Sequence, residues 1–157
     1  KGLNEFVEAG FNYRLTEIQA SAGIPQIKKI NKLISKRIKI ANIYLKKLSH
    51  FNSITTPSPF LSGKHIFQSY VVLLSRKLNR DKVIRDMKNK GIETTIGTYA
   101  LHAQPFFVKN FGYIPGQLKN SFRVFRQSLA LPLYPSLKVK EIDYIVGSLV
   151  SAVDAQI

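Results

Sequence analysis

The chain has 157 residues, 45% of them hydrophobic and 11% aromatic, which suits one folded domain with a core and not a disordered segment. Twenty-four Lys and Arg against nine Asp and Glu give a formal charge of +15, favouring anionic partners: nucleic acid, an acidic membrane surface or phosphorylated small molecules. Cysteine is absent, which excludes disulfide frameworks, thiolate nucleophiles and cysteine metal sites, and the longest apolar runs, YVVLL and LALPL, fall far short of the ~20 residues a membrane-spanning helix needs.

The chain opens on Lys1 with no start or signal-peptide pattern, so a segment of a longer, soluble, cytoplasmic polypeptide is expected. Asn12 and Arg14 then stand just ahead of Thr16, which with Gln19 has the spacing of a capping box and predicts a helix start. Gly23-Ile24-Pro25 is expected to interrupt or kink that helix, because proline removes a donor and crowds the preceding turn. Beyond it Ile27, Ile30, Ile34, Ile38, Ala41, Leu45 and Leu48 recur at three- and four-residue steps, with Lys28, Lys32, Lys36, Lys39 and Lys46 largely off that stripe. A core-packed helix with a basic outer face is expected over 16–48. No carboxylate occurs between Glu17 and Asp81, so the positive charge is concentrated there; a solvated face accounts for that as well as a binding face does.

Thr55 to Lys64, rich in Pro, Ser and Gly, predicts a loop, and Ile66 to Leu74 a buried strand. Asn79 suits the cap of a short helix carrying Val83, Ile84 and Met87, with Gly91 at its exit, and Ile92 to Ile96 predicts a second strand. Pro115-Gly116 turns the chain into a helix whose face holds Leu118, Phe122, Phe125 and Leu129. LALPLYP reads as extended, and a last helix is predicted from about Val139 to Val153 with Ile142, Ile145, Leu149 and Val153 inward. The order predicts a single α/β domain over 1–157, an α+β sandwich in which a mixed part, 65–157, forms a small sheet covered by helices.

Two clusters carry chemistry. Asn12 and Arg14 add an amide donor and a guanidinium to a helix N-terminus, whose free amides already favour an anion; equally, Asn12 suits a turn and Arg14 a solvated surface. Gly97 to Pro105, GTYALHAQP, collects Thr98, Tyr99, His102 and Gln104 at a strand end, where side chains can hydrogen-bond, stack on a planar group or move a proton; a packed Tyr99 and a satisfied histidine fit the same loop. Scattered His50, His65 and His102 have no carboxylate at ligand spacing, which argues against a metal site. Tyr44, Phe67, Phe122 and Phe125 fall at expected buried positions, which weighs against a nucleic-acid module with exposed stacking aromatics.

Together these stretches resemble a family pattern. GFNYRLTEIQASAGIPQIKKI is similar to the segment that opens the C-terminal domain of the DegT/DnrJ/EryC1/StrS family of pyridoxal-phosphate-dependent sugar aminotransferases, where a Gly-x-Asn-x-Arg run precedes a Gln-Ala-containing helix. HIFQSYVVLL, RDKVIRDMKNKGIETTIGTYALHAQPFF and SLALPLYPSLKVKEIDYIV follow in that family's order, so the resemblance covers nearly the whole chain. It implies the small C-terminal domain of an aspartate-aminotransferase-like type I fold and transfer of an amino group, usually from glutamate, to a nucleotide-linked keto-sugar for polysaccharide or sugar-derivative biosynthesis. The cofactor implied is pyridoxal 5'-phosphate, held mainly by a large upstream domain with the cofactor lysine. That lysine lies ahead of the matched run, where this chain has only Lys1, so the segment is expected to be inactive alone. By the same resemblance Asn12 reaches the cofactor phosphate of the partner subunit in a homodimer, and Arg14 anchors substrate phosphates. Tyr99, His102 and Gln104 face the sugar nucleotide, with Thr98 standing where many members have histidine. A non-catalytic regulatory homologue of the same fold and a basic nucleic-acid-binding domain are the alternatives.

Overall fold

The computed structural model describes residues 5–58 and 63–157. A long helix, α1 (Glu17–Leu48), is followed by β1 (Ile54–Thr55), β2 (Tyr70–Leu74), α2 (Arg80–Asn89) and β3 (Thr95–Ile96). After a short 3-10 turn at Leu101–Ala103 come α3 (Pro105–Phe111), α4 (Lys119–Gln127), β4 (Ser128–Leu131) and α5 (Val139–Asp154). Of the expected loop at Thr55–Lys64, residues 59–62 lie outside the described residues, and Thr55 itself belongs to β1.

The four strands form an antiparallel sheet in the order β1-β2-β4-β3, with Val72 opposite Leu129, Tyr70 opposite Leu131 and Thr95 opposite Ala130. Period-two alternation puts Tyr70, Val72 and Leu74 on one face, all buried, and half-buried Val71 and Leu73 on the other. Across the buried face lie Tyr44 and Leu48 of α1, Val83 and Met87 of α2, Leu129 of β4, and Ile142 and Leu149 of α5, in one continuous cluster. Each such apolar side chain contributes about 1.5–3 kcal/mol relative to exposure, so this cluster is where the domain's stability sits. The Tyr44 and Tyr70 rings stack at 4.9 Å, and the Tyr44 hydroxyl donates to the Pro132 carbonyl at 2.9 Å. Burial pushes both phenols well above their ordinary range, so both hydroxyls stay neutral.

Local signals set most boundaries. Thr16 caps α1 through the Gln19 N–H at 3.3 Å while Gln19 Oε1 accepts from the Thr16 N–H at 3.0 Å. Asn79 Oδ1 accepts from the Lys82 N–H at 3.0 Å, and Gly91, at φ 74°, takes the left-handed conformation that ends α2.

Three expectations are corrected. Of the interruption or kink expected at Gly23-Ile24-Pro25, the interruption is overturned: α1 runs through Pro25 as one helix. Leu129 leaves the helical face shared by Phe122 and Phe125: α4 ends at Gln127, and pairing with Val72 draws Leu129 into β4. The expected strands are shortened to Tyr70–Leu74 and Thr95–Ile96. The apolar stripe of α1 is also only half used. Ala41 and Leu48 are buried, Ile34, Ile38 and Leu45 are half-buried, and Ile27 and Ile30 are exposed; Ile40 and Tyr44, off the expected stripe, are buried instead.

Candidate functional site

The segment from Glu5 to Thr16 runs up to the capped start of α1 with its residues exposed. Among the described residues Asn12 and Arg14 make no hydrogen bond or ion pair, so an amide and a guanidinium stand free ahead of a helix N-terminus. Phe11 and Tyr13 flank Asn12, 85% and 84% exposed, with their rings 6.3 Å apart. The donor set fits a phosphate: two side chains that only donate or can donate, next to helix amides carrying partial positive charge.

The loop after β3 is built differently. At Gly97 the backbone passes so close to the sheet that a Cβ would overlap Val71 Cγ1 and come within 2.8 Å of Ser128 Cβ, so only glycine fits. The Thr98 N–H then donates to Ser128 Oγ at 3.1 Å, and Ser128 is fully buried. Tyr99, half-buried, meets the Phe6 ring edge-on at 5.0 Å and the Phe125 ring at 6.1 Å. Arg80 backs this arrangement. It is 6% exposed, its Nη1 donates to the carbonyls of Phe125 and Ser128 at 2.9 and 3.2 Å, and its guanidinium lies 5.9 Å from the Phe125 ring centre. Asp81 Oδ1 at 2.6 Å from Arg80 Nε completes its bonding.

His102 and Gln104 are buried, at 5% and 4% exposure. His102 Nε2 lies 2.8 Å from the Pro115 carbonyl oxygen, which can only accept, so Nε2 carries the proton and Nδ1 remains. Gln104 Oε1 accepts from the Phe6 N–H at 3.3 Å. Pro105 then opens α3 at a position that needs no donor, and Gly112, at φ 67°, closes it. The loop residues Tyr99, His102 and Gln104 are thus gathered into one packed unit. Asn12 and Arg14 share with that unit no hydrogen bond, ion pair or ring contact among the described residues, where Phe6 joins the N-terminal segment to it.

Phe6, Arg80, Ser128 and α3 are not among the features the sequence singles out. An arginine at the first residue of a helix reads as a solvated charge, and a serine inside LALPLYP's approach carries no signal. Pro105 and Gly112, by contrast, bracket FFVKNF as helix start and stop signals. The aromatics expected to be buried divide: Tyr44 is buried, while Phe67, Phe122 and Phe125 are half-buried. Among the described residues no helix is long and apolar enough to cross a membrane.

The model of the DegT/DnrJ/EryC1/StrS aminotransferase family matches residues 2–150. A similar curated protein is an uncharacterized protein of Methanocaldococcus jannaschii, 33% identical over 147 residues, which cover 92% of this chain and 38% of that protein. GDP-perosamine synthase of Caulobacter vibrioides is 31% identical over 147 residues, covering 92% of this chain and 39% of the synthase. Among solved structures, Helicobacter pylori PseC, an aminotransferase involved in the biosynthesis of pseudoaminic acid, matches 99% of this chain and 42% of its own with a TM-score of 0.82 at 23% identity, a likeness of fold. The chain thus spans well under half the length of these relatives. With nearly its whole length, residues 2–150, matched by the family model, the chain belongs to the DegT/DnrJ/EryC1/StrS aminotransferase family.

Proposed function

We propose that the chain is the C-terminal part of a pyridoxal-phosphate-dependent aminotransferase that moves an amino group, from glutamate, to a nucleotide-linked keto-sugar in polysaccharide or sugar-derivative biosynthesis. It works in the cytoplasm as a homodimer, with a large upstream domain that carries the cofactor lysine; without that lysine the chain alone is inactive. When bound, pyridoxal phosphate supplies the electron sink that lets an amino group be passed between two carbon skeletons. This chain's residues do the holding. The Asn12 amide donates to the cofactor phosphate across the dimer interface, and Arg14 pairs with substrate phosphates. Tyr99 offers a ring to the sugar nucleotide, with His102 and Gln104 behind it; their remaining polar atoms, His102 Nδ1 and Gln104 Nε2, are the ones left to meet a ligand.

The observation that carries this reading is the free state of Asn12 and Arg14. Arg80, His102, Gln104 and Ser128 of the neighbouring loop unit are each spent on partners within the chain, whereas these two donors have none among the described residues. Exposed Phe11, Tyr13, Leu15 and Ile18 around them support a covering subunit or domain.

The test is Asn12→Ala in the full-length polypeptide. A charge-assisted hydrogen bond is worth about 1.5–3 kcal/mol, so cofactor retention should weaken by roughly one to two powers of ten. Mixing that variant with one lacking the upstream lysine should restore activity. In the mixed dimer the lysine-bearing site belongs to the Asn12→Ala subunit and receives its asparagine from the partner. No recovery, under conditions where subunit exchange is shown independently, would mean Asn12 serves its own subunit.

A further inference from the structure

Three contacts meet at one residue of the N-terminal segment. The Phe6 N–H donates to Gln104 Oε1 at 3.3 Å, the Phe6 carbonyl accepts from the Phe106 N–H at 2.9 Å, and the Phe6 ring abuts Tyr99. From Val7 to Leu15 the chain makes no hydrogen bond or ion pair among the described residues. The segment bearing Asn12 and Arg14 therefore hangs between two fixed points, the Phe6 clamp and the capped start of α1.

Gln104 is itself rigidly held. Its N–H donates to the Leu101 carbonyl at 2.9 Å and its carbonyl accepts from Val108 at 3.0 Å, so the residue joins the 3-10 turn to α3. A backbone N–H can only donate, so the side-chain oxygen must face Phe6 and the Nε2 group must turn away from it. One buried side chain thus holds the N-terminal segment through its oxygen and leaves its amide nitrogen for another contact.

The geometry points to Gln104 as a positioning residue: it fixes Phe6 against Tyr99 and so sets where the segment carrying Asn12 and Arg14 departs from the loop carrying Tyr99 and His102. The functional meaning of that coupling rests on the roles proposed above for Asn12 and Tyr99; the clamp itself does not. Ordering at the loop is passed to the phosphate-facing segment through the Phe6 amide, and loosening one loosens the other.

Amide hydrogen exchange on the full-length polypeptide, without ligand, tests the clamp. Gln104→Leu keeps the volume and removes the acceptor. It should speed exchange at the Phe6 and Phe106 amides, the two bonded in the clamp, by about two- to tenfold, the scale of one lost hydrogen bond, while amides of β2 and β4 keep wild-type protection. Gln104→Glu, which keeps an acceptor at the same place, should return exchange to within about twofold of wild type. Equal exchange in wild type and Gln104→Leu, loss of protection throughout the sheet, or no rescue by Gln104→Glu overturns the proposal. The dissociation constant for pyridoxal phosphate is the second readout: it should rise in Gln104→Leu and recover in Gln104→Glu. If wild type itself fails to retain pyridoxal phosphate, the role of Asn12 falls while the exchange result still decides the clamp.

Discussion

Ile40 and Ile27 lie on the same helix, one 6% and the other 68% exposed. The end of α1 packs on α5 and feeds Ile40, Ala41, Tyr44 and Leu48 into the core, whereas its beginning presents Ile18, Ile24, Ile27 and Ile30 to solvent, uncovered by the described residues. The residue types are alike, so composition does not separate the two halves; the location of the partner does. The buried half explains why the domain holds together. The exposed half, continuous with the Asn12 segment, is the surface that the proposed partner subunit or domain would cover.

The sharpest way to break that comparison is to remove a core side chain. Leu149 of α5 is fully buried, and Leu149→Ala should cost about 2–5 kcal/mol, the range for a large-to-small core change that leaves a cavity. A denaturant midpoint that barely moves would mean the cluster around Tyr44, Met87 and Leu129 does not carry the stability assigned to it. Next in size is a pair of glycines, one from each region. Gly97→Ala forces a methyl group against Val71 and Ser128 and should cost about 1–3 kcal/mol, displacing the Thr98 amide from Ser128 Oγ. Gly10→Ala, with nothing within 4 Å of its Cβ, should stay within about 0.5 kcal/mol of wild type. Equal costs at the two positions would remove the distinction.

The same contrast explains which features were legible in sequence. Signals confined to a few neighbouring residues were read correctly: the Thr16–Gln19 capping box, the Asn79 cap, the Gly91 exit and the inward face of α5 at Ile142, Ile145 and Leu149. What required knowledge of a distant partner was not. Leu129 continues the helical spacing of Phe122 and Phe125, yet pairing with Val72 outweighs local periodicity, and Ile54 joins the sheet only because β2 passes beside it. On α1 the lysine-free stripe was visible, but its partner α5 covers only the last turns and a face shifted toward Ile40 and Tyr44. At the site, the residue types of Asn12, Arg14, Tyr99, His102 and Gln104 and their loop positions could be named from the sequence. That Gln104 would be spent on Phe6, His102 on Pro115 and Arg80 on the carbonyls behind Tyr99 depends on chain crossings that no local pattern encodes.

A small expected effect on stability is also the most discriminating, because it falls in the exposed half. Ile18 and Ile27 are 83% and 68% exposed, and Ile and Ser differ little in helix propensity. Replacing both by Ser should therefore change the unfolding free energy of this chain by no more than about 0.5 kcal/mol per site. Association is where the change should register. An exposed apolar patch of several hundred Å² seeks a partner, so the wild-type chain should self-associate as concentration rises, and the Ile18→Ser, Ile27→Ser variant should stay monomeric further up the same series in sedimentation velocity. Leu149→Ala should show the reverse, a large loss of stability with no specific relief of association. If the double serine variant instead unfolds as readily as a core mutant, the first turns of α1 are packed within the chain. If it associates as strongly as wild type, the surface that gathers a partner lies elsewhere than beside Asn12.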